Sequence, residues 1–150
     1  TTKKTSDYTA SCRMAIKDGV VWIDGIDNQR LAPHEVEALI VPRSKTDDKT
    51  RQSIPQDPGQ AGVAQKAGLS RKLQGARFTF STESGDKRTR AMPLAAQVNV
   101  GNVRLVNSDT THAFLKQLES FPNGSHDDMV DAASRAYNEL TKSSYSLDNL

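Results

Sequence analysis

Two β-prone runs open the chain, Tyr8 to Ile16 and Val20 to Ile26, separated by Lys17-Asp18-Gly19, whose Asp-Gly pair is a strong hairpin signal. An antiparallel hairpin is expected there. Pro33 stands in the first turn of a helix-like stretch reaching Ile40, with Val36, Leu39 and Ile40 on the face that would cover a sheet. Asp47 to Thr50 reads as a polar loop and Arg51 to Gln56 as a short strand, although Pro55 cannot donate to a ladder. Asp57-Pro58-Gly59 ends that strand. Gln60 to Leu73 reads as a helix, Gly75 as its stop, and Arg77 to Phe80 as a strand. A helix over Asp86 to Val98, a strand over Val103 to Val106 and a helix over Thr111 to Phe121 follow, the last with Phe114, Leu115, Leu118 and Phe121 along its apolar side. The final helix is expected from about Ser125 to Leu140, with Val130, Ala133, Tyr137 and Leu140 facing the core, and Lys142 to Leu150 as a loose tail. A hairpin followed by alternating strands and helices points to an α/β layer fold with a mixed sheet flanked by helices.

Length and composition narrow this picture. A chain of 150 residues, 35% hydrophobic and 25% charged, suits one globular domain with a real core. No apolar run approaches the roughly 20 residues of a membrane span, and Thr1-Thr2-Lys3-Lys4 is not followed by a signal-like apolar segment, so a soluble, intracellular protein is expected. The single cysteine, Cys12, falls in an expected strand and reads as a small, buried, inert residue. A net charge of +2 names no partner, but its distribution is uneven. Lys66 to Arg90 carries seven basic and two acidic residues, a net of +5, and Glu119 to Leu150 six acidic and two basic, a net of −4. Cations that hold a backbone beside carboxylates that hold metal are what a phosphodiester enzyme needs. A solvated surface of mixed charge is the plainer alternative.

The densest chemistry lies in Phe121-Pro122-Asn123-Gly124-Ser125-His126-Asp127-Asp128-Met129-Val130-Asp131, a Pro/Gly turn leading into a helix that begins with acids. Ser125 reads as the N-cap, with Asp128 completing a capping-box-like pair. Acids in a first turn complement the helix dipole and need no function, which accounts for one or two of them. Three carboxylates and a histidine within six residues repel unless a cation or basic partner neutralises them, and a hard divalent ion, Mg²⁺ or Mn²⁺, would do so through oxygen ligands. Asp57 is a second candidate, because sites in α/β sheets form where a strand ends and a helix begins; an ordinary turn aspartate is the alternative. Lys87, Arg88 and Arg90 follow Ser84-Gly85-Asp86 at a helix start, a plausible backbone-phosphate contact. The chain has no Gly-x-x-x-x-Gly-Lys-Ser/Thr loop and no Gly-x-Ser-x-Gly elbow, so neither nucleotide hydrolysis nor a serine triad has local support.

Ile54-Pro55-Gln56-Asp57-Pro58-Gly59-Gln60-Ala61-Gly62, Glu83 through Ala91 and Phe121 through Ala132 together resemble, in order and spacing, the C-terminal nuclease region of tailed-phage large terminase subunits. Asp7-Tyr8-Thr9-Ala10 and Gly101 through Val106 add weaker matches, so the resemblance spans roughly residues 7 to 140. It implies an RNase H-like domain over residues 1–141 that cuts concatemeric double-stranded DNA during genome packaging. It also implies two divalent metal ions, one helping to generate the attacking hydroxide and the other stabilising the leaving oxygen. Asp57 matches the family's second acidic position and the Asp127/Asp128 pair contains its last, with His126 and Asp131 as accessories. The implied partners are DNA, the terminase small subunit and the portal protein, in the cytoplasm of a bacterial host. The family's first aspartate lies on an opening strand that normally precedes the segment matching Asp7 to Ala10, so the resemblance implies that this strand is missing here, with Thr1 to Ser6 in the loop after it. The alternative is a catalytically inactive RNase H-like module that binds DNA or the portal; another RNase H-like enzyme, such as a resolvase or transposase, is a third reading.

Overall fold

The computed structural model describes the backbone of residues 7–147 and the side chains of residues 7–142. The elements run β1 (Tyr8–Lys17), β2 (Val20–Arg30), α1 (Pro33–Thr46), β3 (Gln52–Pro55), α2 (Gln60–Lys72), β4 (Phe78–Ser81), α3 (Lys87–Asn99), β5 (Val103–Leu105), α4 (Thr111–Ser120) and α5 (Asp128–Leu147). The alternation expected from the sequence is present, but its strands form two sheets rather than one. One sheet has the order β1-β2-β5, antiparallel between β1 and β2 and parallel between β2 and β5. The other is the parallel pair β3-β4. The chain correspondingly divides into two compact units, residues 31–84 and the remainder.

In the larger unit, β1 and β2 meet at Asp18-Gly19, both at positive φ (52° and 75°), as a two-residue hairpin turn requires. Ile23 and Ile26 of β2 join a core with Ala91 and Leu94 of α3, Phe114 of α4, and Met129, Val130 and Ala133 of α5, and Val21 of β2 is buried as well. Cys12, expected to be buried, is partly buried against this core, and burial pushes its thiol up to about 12, so it stays protonated. Polar ties fix helix to sheet and helix to helix: Thr110 Oγ1 donates to the Ile26 carbonyl of β2 at 2.6 Å, and Asn138 of α5 donates to the Arg90 carbonyl of α3 at 3.0 Å.

Several boundaries differ from expectation for identifiable reasons. α1 continues through Pro42 to Thr46, with the Ser44 hydroxyl donating to the Val41 carbonyl and the Thr46 hydroxyl to the Pro42 carbonyl in its last turn. On α4 the inward positions are Phe114, Gln117, Leu118 and Phe121, while Leu115 is exposed. A polar residue at 117 therefore belongs to a face that apolarity alone assigns differently. α5 begins at Asp128 rather than Ser125 and runs to Leu147, so the tail expected from Lys142 is helical backbone as far as Leu147. The expected loop at residues 1–6 and the end of the tail at 148–150 lie outside the described residues.

In the smaller unit, Leu69 and Leu73 are almost completely buried, and Val36, Leu39 and Ile40 of α1 are half-buried on the expected face. Gln52 donates to the Ile40 carbonyl at 3.0 Å, fastening β3 to α1.

Candidate metal and nucleic-acid site

The start of α5 is assembled by side chains from two other helices. Phe121 ends α4, and Asn123 and Gly124 both donate backbone hydrogen bonds to the Ser120 carbonyl at 2.9 Å, folding the chain back towards α5. The Asp127 carbonyl accepts the first helical bond, from the Asp131 N–H at 2.9 Å, so Asp127 rather than Ser125 immediately precedes the helix. Among the first orphan N–H groups, that of Met129 donates to Gln117 Oε1 at 3.0 Å in a buried setting. Gln117 thus caps α5 from α4. Met129 and Val130, buried just behind, anchor the turn that carries the acids.

Lys87, the first residue of α3, meets those acids. Its Nζ lies 2.8 Å from Asp127 Oδ1 and 3.3 Å from Asp131 Oδ2. The bond to Asp127 holds the Lys87 ammonium above its usual range, with Asp131 adding to the effect. Burial raises the Asp131 carboxyl above the usual carboxylate range, repulsion from Asp127 adds to this, and Lys87 opposes it. The basic partner that the crowded carboxylates call for is therefore a lysine forty residues earlier. Asp128, half-buried, has no hydrogen-bond or ion-pair partner for its side chain among the described residues. His126 is exposed and meets Tyr8 edge-on at 5.3 Å, while Arg30 lies over the Tyr8 ring at 4.6 Å.

The three sequence-predicted cations have different surroundings. Lys87 is bound to the acids, and Arg90 donates to the Gly85 carbonyl at 2.7 Å. Arg88 is exposed, its side chain without a partner among the described residues. Asp86 caps the helix that carries all three, accepting from Thr89 N–H at 2.8 Å and Thr89 Oγ1 at 3.0 Å.

Asp57 belongs to the smaller unit, between β3 and α2, as expected. Gly59 takes φ +90°, a left-handed conformation that a side chain rarely adopts, and its carbonyl accepts from Val63 N–H at 3.2 Å to start α2. Gly62 is buried against the backbone of Asp57, and a Cβ at 62 would collide with the Asp57 carbonyl oxygen. The Asp57 side chain is exposed and has no partner among the described residues.

The oxygen-only donors of Asp57, Asp127 and Asp128 suit a hard divalent ion. Two carboxylates, Asp127 just ahead of α5 and Asp131 within it, already converge on one positive charge, the Lys87 ammonium. Among the described residues, no group of three or more His, Cys, Asp or Glu side chains is gathered to hold a metal. Sequence reasoning missed Gln117 and the pairing role of Lys87; the one signal for Gln117 was a polar residue three positions after Phe114 on the inward face of α4.

A mixed sheet backed by helices, with carboxylates at one helix start beside the basic start of another, defines a small α/β unit with an acidic, cation-flanked edge. Residues 1–140 match the terminase RNaseH-like domain family, and the chain belongs to that family. No curated protein and no solved structure matches the chain. Among the described residues no helix is long and apolar enough to cross a membrane.

Proposed function

We propose that this chain is the metal-dependent endonuclease module of a terminase large subunit, cutting concatemeric double-stranded DNA as genomes are packaged. The observation that carries the reading is the acidic entrance to α5 beside the basic start of α3, in a terminase RNaseH-like domain. Asp57, Asp127 and Asp128 are the carboxylates proposed to hold two divalent ions, Mg²⁺ or Mn²⁺. When bound, such ions neutralise charge at the scissile phosphate and lower the barrier to attack by water. Asp128 offers a carboxylate with no partner among the described residues to release first, and Asp127 keeps Oδ2 clear of its bond to Lys87. Asp131, held by Lys87, supports Asp127, and His126 serves as an accessory ligand or proton carrier. Arg88 is the proposed first contact to the DNA backbone, with Arg90 beside it. The terminase small subunit and the portal protein are the proposed partners.

Plasmid cleavage with Mn²⁺ in the whole protein tests this reading. Asp57→Ala and Asp128→Ala are expected to slow cutting by at least about 100-fold, as loss of a group that stabilises the transition state does. Equal cutting by wild type and Asp57→Ala removes Asp57 from the site. DNA binding without any Mn²⁺-dependent cutting favours a binding module instead.

A further inference from the structure

Lys87 and Arg88 both open α3 and both are exposed, yet their charges have different partners. The Lys87 ammonium bridges Asp127 and Asp131, whereas the Arg88 side chain has no partner among the described residues. The bridge has a clear electrostatic cause. Asp127 and Asp131 lie four residues apart at the start of α5, where like charges repel, and the intervening ammonium relieves that repulsion. The two carboxylates are mostly covered, at 18% and 30% exposure, but the Lys87 side chain is 52% exposed. The ammonium is thus within reach of solvent, and Asp127 and Asp131 are its partners among the described residues.

A divalent ion that takes an oxygen of Asp127 would bring two further positive charges close to this ammonium. Cations that share one carboxylate repel each other strongly where water is partly excluded. The lysine then loses much of the attraction that holds it, and its flexible stem allows it to leave. Outside the carboxylate pair it stands in the first turn of α3 beside Arg88, where the helix N-terminus also favours an anion.

We propose that Lys87 is a DNA-phosphate ligand released by a divalent cation: without the ion it neutralises Asp127 and Asp131, and ion binding at Asp127 frees it for the DNA backbone. The inference rests on the assignment of Asp127 to the metal site in the proposed function. By linkage, DNA and the ion each raise the other's affinity through this one side chain.

Two measurements on the whole protein test it, with wild type, Lys87→Met, Lys87→Arg and Asp127→Asn. Mn²⁺ uptake is followed by the electron paramagnetic resonance signal of the free ion. Lys87→Met is expected to bind Mn²⁺ roughly 5- to 100-fold more tightly, the span of ordinary site couplings, with Lys87→Arg near wild type. Duplex DNA binding is then measured against salt with and without Ca²⁺. The wild-type salt slope is expected to exceed that of Lys87→Met by about one unit with Ca²⁺ and to match it without. Lys87→Gln replaces Lys87→Met should the latter fail to fold. Mn²⁺ affinity in Lys87→Met no tighter than wild type, while Asp127→Asn weakens uptake, overturns the role of Lys87 and leaves the metal site standing. A slope difference that is the same with and without Ca²⁺ also overturns it, making Lys87 a constitutive contact. Equal Mn²⁺ uptake by Asp127→Asn and wild type removes Asp127 from the metal site, and the inference goes with it.

Discussion

Asp57 and Asp127 both stand just ahead of a helix, Asp57 after β3 and Asp127 after the loop that follows α4. Their loops are held by opposite means. Around Asp57 the shaping is done by backbone: Gly59 supplies a left-handed turn, Gly62 lets the helix close against the Asp57 carbonyl, and the carboxylate is left exposed, without a partner among the described residues. Around Asp127 the shaping is done by side chains: Gln117 caps Met129, Lys87 bridges two carboxylates, and Met129 and Val130 are buried beneath. The same residue type at the same kind of position thus comes with different sensitivities. The first loop should fail when atoms are added, and the second when a polar partner is removed.

Gly62→Ala tests the first half and carries the largest expected effect. Its Cβ would collide with a backbone oxygen that has no rotamer to retreat into. The gain of about 1 kcal/mol in helix propensity does not offset this. A net loss of about 2–3 kcal/mol is expected from overpacking, read as a lower urea midpoint. Gly124→Ala is the internal contrast, because its added Cβ would meet the side chain of Ser120, which can rotate, so its loss should be smaller. Equal losses at the two positions would contradict the distinction between a backbone-made and a side-chain-made loop.

Gln117→Leu tests the second half. The substitution keeps the bulk at a buried position but leaves the Met129 N–H without its acceptor. A buried donor left unsatisfied costs about 1–3 kcal/mol, and the loss should appear as a lower thermal midpoint. An unchanged midpoint would mean that the start of α5 is held by apolar packing alone.

The two loops also differ in how far the sequence reveals them. Asp18-Gly19 and Asp57-Pro58-Gly59 are contiguous signals whose physical meaning is local, and the hairpin and the strand-to-helix turn appear where those residues stand. The acids at 127, 128 and 131 were equally visible as a charge cluster needing a partner. The partners were not visible, because Gln117 lies twelve residues away and Lys87 forty, and only folding brings them to Asp127 and Met129. Leu115 illustrates the same limit: an apolar residue next to the inward stripe of α4 reads as part of it until the helix is seen to turn Gln117 inward instead. The separation into two sheets was likewise hidden, since strand order depends on pairings that no local pattern encodes.

Asp86→Ala gives the smallest expected effect and sharpens the comparison from a third position. Asp86 is also an acid at a helix start, but its oxygens are already engaged by the Thr89 N–H and hydroxyl, so capping accounts for it without any ligand. Those bonds hold its carboxyl below the ordinary value of 3.8. A carboxylate depressed on folding stabilises above its unfolded pKa and loses that contribution as the pH falls through the folded value. Asp86→Ala should therefore lower the thermal midpoint modestly at neutral pH, and wild type and variant should converge as the solution is acidified below 3.8. If the gap instead persists undiminished in acid, the charged cap is not what Asp86 supplies to α3. The lysine at the first position of that helix would then be held in place by its two aspartates rather than by a capped helix start.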